Sequence, residues 1–104
     1  FTFCMTENEK ASYCEFAEKL LDAAFASGAD MIVLDESIGA VSVGVLSLER
    51  LLAFLRDCPE NREVVLTGRD PSAELLKTAD YITRMVKIRH PYDSGQPARE
   101  GVEY

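Results

Sequence analysis

Met31-Ile32-Val33-Leu34-Asp35-Glu36 decides the fold. Four apolar residues without alternation read as a short strand covered on both faces, and such a strand belongs to a parallel sheet flanked by helices. The run ends in two carboxylates. In open α/β sheets ligands gather beyond the carboxyl ends of the strands, so an acidic pair at that tip suits a cation, and magnesium on a nucleotide is the natural candidate. The plainer alternative is that Asp35 and Glu36 only open a loop.

Working outward, Thr6 and Glu9 have capping-box spacing, and Tyr13, Phe16, Ala17, Leu20 and Ala24 recur at helical period. A first helix is therefore expected over 7–26, closed by Gly28. Residues 37–46 are small and apolar with two glycines and read as a loop. Ser47 caps a second helix with Leu48, Leu51, Leu52 and Leu55 as its buried stripe and Pro59 as its stop. Glu63-Val64-Val65-Leu66-Thr67 reads as a second strand. Asp70-Pro71 then opens a third helix over 71–78, and residues 81–88 read as a third strand. Residues 89–104, with Pro91, Gly95, Pro97 and Gly101, read as an extended C-terminal segment. The order implies one α/β domain over 1–104, a parallel sheet with right-handed crossovers that places Asp35-Glu36, Thr67-Gly68-Arg69 and Arg89-His90 along one edge.

A net charge of −7 without a basic cluster argues against nucleic acid, whose phosphates need a basic footprint. An anionic ligand would have to be held locally by helix N–H groups, a cation and a few arginines. No apolar stretch approaches bilayer length and no signal peptide is evident, so a cytoplasmic location is expected, with no membrane partner. Cys4, Cys14 and Cys58 lack the number and spacing of a disulfide framework or zinc site and read as small reduced hydrophobes. The chain starts at Phe1 without an initiator methionine and reads as a piece of something longer.

Arg69 follows a strand tip and precedes a helix start, so its guanidinium and the helix N–H groups would face one phosphate. A surface pairing of Arg69 with Asp70 or Asp80 is the equal alternative. His90, the only histidine, has no second His or Cys near it in sequence and reads as a loop residue. Gly39 to Gly44 has the glycine spacing of a phosphate loop, but Val45 stands where the lysine belongs and the segment follows the acidic strand, so the match is spurious.

Phe1-Thr2-Phe3, Val33-Leu34-Asp35-Glu36, Leu66-Thr67-Gly68-Arg69, Ala79-Asp80 and the stretch from His90-Pro91-Tyr92-Asp93 to Gly101-Val102-Glu103-Tyr104 together resemble one family. It is the ATP:cob(I)alamin (corrinoid) adenosyltransferases of the CobA/BtuR/CobO type, and the resemblance covers essentially the whole chain. It implies a RecA-like, P-loop NTPase-type three-layer fold, present here in part. It also implies transfer of the 5′-deoxyadenosyl group of ATP to the Co(I) of a corrinoid such as cob(I)alamin, giving adenosylcobalamin and triphosphate.

The resemblance further implies Glu36 as the ligand of Mg2+ (or Mn2+) on the triphosphate, Asp35 as its support, and Arg69 on the phosphates. Phe1 and Phe3 would pack against the corrinoid face, where the family has Phe-Thr-Trp. Homodimers and a flavoprotein reductase are the implied partners. The family's N-terminal phosphate loop has no counterpart in these 104 residues. The chain is accordingly expected to be the C-terminal, larger part of such an enzyme and to bind ATP poorly alone. Two rival readings are a non-catalytic corrinoid- or partner-binding module without a nucleotide site, and a RecA-like ATPase fragment whose acidic strand tip positions water.

Overall fold

The computed structural model describes residues 6–90 and Gly95. Phe1, Phe3, Cys4 and nearly all of the C-terminal segment after His90 lie outside the described residues.

Helix α1 (Glu7–Ala26) begins where the capping box places it, with the Glu9 N–H donating to Thr6 Oγ1 at 3.1 Å. Glu7 and Glu9 sit in the first turn, where carboxylates suit the positive end of the helix dipole. Its buried line differs from the one expected: Leu21 is in the core with Ala17 and Ala24 beside it, whereas Tyr13, Phe16 and Leu20 are exposed. The bulky residues suggested the stripe, but small side chains are what let α1 lie close to its neighbours.

Arg62, far along the chain, finishes this helix. Its guanidinium donates to the carbonyl oxygens of Phe25 (2.9 Å), Ala29 (3.1 Å) and Ser27. The last turn of α1 carries no basic residue of its own, so this distant arginine fills the role a local lysine or arginine often plays.

Strand β1 (Met31–Leu34) pairs in parallel with β2 (Glu63–Leu66), Met31 opposite Glu63 and Leu34 opposite Leu66. Ile32, Leu34, Val64 and Leu66 turn into the core, while Met31, Val33 and Val65 are exposed. Coverage of both faces is thus not seen: among the described residues the sheet is covered on one. The apolar run records the demand for burial without showing what satisfies it.

Residues 37–42 are helical, not loop: α2 (Ser37–Ser42) tucks Ile38, Ala40 and Val41 against the core. Packing outweighs the helix cost of Gly39. A Schellman turn ends it, with the Gly44 N–H donating to Val41 O at 3.1 Å, the Val45 N–H to Ala40 O at 2.9 Å, and Gly44 at φ +77°.

Helix α3 (Leu48–Asp57) has the expected Ser47 cap, Oγ accepting from the Arg50 N–H at 3.4 Å. Leu51 is fully buried, Leu48, Leu52 and Leu55 flank the core, and Phe54, absent from the expected stripe, is buried too. Phe54 meets Phe25 edge-on with ring centroids 5.9 Å apart, and Arg50 pairs with Asp22 at 2.7 Å, which holds α3 on α1.

Helix α4 (Ala73–Thr78) starts later than expected. Its cap is Ser72, whose Oγ accepts from the Leu75 N–H at 3.3 Å, because Asp70 is taken into a left-handed turn at φ 52° and cannot serve as cap. The expected third strand does not form: residues 81–90 contain no helix or strand, and Tyr81, Ile82, Met85, Val86 and Ile88 are exposed. A strand exists only through pairing, and apolar composition alone supplies no partner edge. The architecture is a mixed α/β layer with a two-stranded parallel sheet.

Candidate functional site

The parallel register brings the two strand tips side by side. Since Leu34 faces Leu66, the next residues, Asp35 and Thr67, emerge together at the carboxyl end of the sheet. Backbone bonds close the junction: the Thr67 N–H donates to Leu34 O at 3.4 Å and the Ile38 N–H to Thr67 O at 3.3 Å. The side chain adds two more. Thr67 Oγ1 donates to Asp35 Oδ1 at 2.7 Å and accepts from the Glu36 N–H at 2.9 Å.

Glu36 is the N-cap position of α2 and is left-handed, φ 56° and ψ 21°, without a side-chain cap bond. Its carboxylate lies over the first turn of α2, where a Cβ placed on Gly39 would stand 3.6 Å from Glu36 Oε2. Gly68 makes the closest approach. At φ +149° its missing Cβ would lie 2.5 Å from the Ile38 Cβ and 3.2 Å from the Gly39 nitrogen, so only glycine lets β2 reach the first turn of α2. The turn is therefore welded to both strand tips by Thr67 and Gly68.

Asp35 and Glu36 are exposed and form no ion pair with a described residue. Among the described residues no cluster of three or more His, Cys, Asp or Glu is placed to hold a metal, so these two alone would make only part of a coordination shell. That donor set does not suit a structural zinc. It fits magnesium, which keeps several waters and is commonly bound through one or two carboxylates plus substrate phosphates.

Arg69 is exposed beside this junction in sequence and pairs with neither Asp70 nor Asp80 among the described residues. The helix start expected directly after Arg69 lies further on: residues 70–72 separate Arg69 from α4, and Ser72 accepts from the Leu75 N–H. Arg89 and His90 lie in the coil after α4, not at a strand tip. The groove between α1 and α3, rimmed by Asp22, Arg50 and Asp57, includes none of the acidic-turn residues. Cys14 and Cys58 are free thiols, half-buried as expected for small hydrophobes.

Sequence reading put Asp35-Glu36 and Thr67-Gly68-Arg69 along one edge but missed Thr67 as the tie between Asp35 and Glu36. The tie depends on the register, with Leu34 opposite Leu66 bringing Asp35 and Thr67 together, and the sequence, which reads the second strand as running through Thr67, does not show it. Glu36's left-handed turn had no signal either, since glutamate has no preference for it.

No helix among the described residues is long and apolar enough to cross a membrane. A protein-family model described as "ATP:corrinoid adenosyltransferase BtuR/CobO/CobP" matches residues 1–104. The chain is 32% identical over 78 residues to the corrinoid adenosyltransferase of Escherichia coli (strain K12), covering 75% of this chain and 40% of that protein. It is 36% identical over 74 residues to that of Pseudomonas aeruginosa, covering 71% and 36%. With the corrinoid adenosyltransferase of a Sinorhizobium species it shares 37% identity over 75 residues, covering 71% and 35%. The matched portion is thus two fifths or less of each relative's length. With the match running from Phe1 to Tyr104, the chain belongs to the ATP:corrinoid adenosyltransferase family.

Proposed function

We propose that this chain forms the acidic strand-tip part of a corrinoid adenosyltransferase, which moves the 5′-deoxyadenosyl group of ATP to the Co(I) of a corrinoid and releases triphosphate. The observation that carries the reading is the paired carboxylates Asp35 and Glu36, exposed at the carboxyl end of a parallel strand and held by Thr67. Glu36 would hold Mg2+ (or Mn2+) directly, and Asp35 would support it from its bond to Thr67. When bound, the ion neutralises charge on the triphosphate and so favours its departure. Arg69, without a carboxylate partner among the described residues, contacts the phosphates with its planar fork. Phe1 and Phe3 provide an aromatic wedge against the corrinoid.

The attacking electron pair belongs to Co(I), so this chain need not supply a general base. Its contribution is orientation and electrostatics. The rest of the proposal follows the family: a RecA-like fold, an upstream phosphate loop, a homodimer, a flavoprotein reductase as electron source and a cytoplasmic location.

Fusing the chain to the upstream phosphate-loop segment of a relative, and following cob(I)alamin adenosylation by absorbance, tests the reading. Adenosylation that falls when Glu36→Gln is introduced supports it, and a folded, inactive fusion overturns it. A second reading is a corrinoid-binding module without nucleotide chemistry. It requires corrinoid binding that is indifferent to ATP.

A further inference from the structure

We infer that Thr67 is a positioning residue for the two cation-binding carboxylates, an assignment that rests on the proposed role of Asp35 and Glu36. A threonine hydroxyl has one proton to give and lone pairs to receive with. Here the proton goes to Asp35 Oδ1 at 2.7 Å and a lone pair receives the Glu36 N–H at 2.9 Å. The hydroxyl thus has its polarity fixed from both sides, and a single side chain orients both carboxylate-bearing residues.

The two bonds do different work. The bond to Asp35 occupies one carboxylate oxygen and aims the group. The bond to the Glu36 amide holds a left-handed backbone, φ 56° and ψ 21°, that glutamate does not choose unaided. That turn sets the direction from which the Glu36 carboxylate leaves the chain. Thr67 cannot drift to accommodate another geometry, because its own N–H and C=O are bonded to Leu34 and Ile38 and the following Gly68 is packed against Ile38 and Gly39. Thr67 touches neither phosphate nor metal in this scheme; it acts through its two neighbours.

Thr67→Val keeps the β-branched shape suited to a strand end and removes both bonds, while Thr67→Ser keeps both and removes only a methyl group. The experiment titrates Mn2+ into the 104-residue chain in the presence of inorganic triphosphate and reads paramagnetic broadening of the Asp35 and Glu36 amide resonances, with chemical denaturation run in parallel. Thr67→Val is expected to weaken Mn2+ binding by about ten- to a hundredfold, the range typical of groups that orient metal ligands, and Thr67→Ser to stay within about twofold of the parent. A folded Thr67→Val chain that binds Mn2+ like the parent overturns the assignment while leaving the cation site standing. Should Thr67→Val fail to fold, Thr67→Ala decides: a folded alanine variant that binds Mn2+ like the parent overturns the assignment equally, and one that loses binding tenfold supports it. A parent chain in which Mn2+ leaves both amides sharp overturns the cation reading itself, a result distinct from either.

Discussion

Gly68 and Ile38 meet so closely that a Cβ on the glycine would stand 2.5 Å from the Ile38 Cβ. The clash would be with a branched carbon at the base of a side chain, which no rotamer change moves away. The glycine backbone, at φ +149°, is also one that other residues avoid. Gly68→Ala is therefore expected to destabilise the chain by roughly 2–4 kcal/mol, the sum of overpacking and backbone strain. Because Thr67 and Arg69 flank this glycine, the same change should shift the Asp35 and Glu36 amide resonances. Urea denaturation and an amide correlation spectrum check both, and an alanine variant of parental stability would remove the close approach from the account.

Glu36 invites the opposite experiment. Its left-handed backbone costs a non-glycine residue roughly 1–2 kcal/mol, which glycine would recover apart from the greater freedom it gives the unfolded chain. Glu36→Gly is expected to leave stability unchanged or raise it by up to about 1 kcal/mol, while abolishing the Mn2+-induced broadening. Glu36→Gln, with the strain kept and the charge gone, should match the parent in stability and lack the broadening. A glycine variant clearly less stable than the glutamine one would show that the turn is not strained.

Much of this turn was legible in advance, and the reasons for the remainder are physical. Ser47 and Thr6 announce helix starts because their side chains satisfy free N–H groups locally, with no help from the rest of the molecule. The strands over 31–34 and 63–67 were readable as elements, the second one residue longer than the observed Glu63–Leu66, and Asp35-Glu36 as the exposed end of the first. The failures share a cause in tertiary contact. Residues 37–42 form a helix because Ile38 and Val41 find a core to pack on, and nothing local in a glycine-containing segment reveals that. Residues 81–88 carry the composition of a strand, yet pairing depends on an edge that composition cannot name.

Ser37 presents a different imbalance. It is 5% exposed, and its Oγ has no hydrogen-bond partner among the described residues, directly after the acidic pair. A buried hydroxyl left unpaired costs about 1–3 kcal/mol of desolvation. Ser37→Ala should accordingly leave the chain as stable as the parent or stabilise it by about 1 kcal/mol. Loss of more than about 1 kcal/mol in denaturation would mean that the hydroxyl is bonded in solution.

Arg62 ties together segments far apart in the chain. It donates to Phe25, Ser27 and Ala29, the carbonyls at the end of α1 and in the connection to β1, from a position immediately before β2. One guanidinium thus anchors the end of the first helix to the start of both paired strands. Hydrogen bonds from a charged donor contribute about 1.5–3 kcal/mol net, and three that share one side chain do not add in full. Arg62→Ala is expected to cost roughly 2–4 kcal/mol and to speed amide exchange in the last turn of α1 before it affects α3. Arg62→Lys should recover only a fraction, because an ammonium cannot present the planar fork that reaches three carbonyls at once. Full recovery by lysine would reduce the role of Arg62 to its charge at the helix terminus. Partial recovery, with α1 exchange still raised, would confirm that the fork geometry holds the helix end against the sheet.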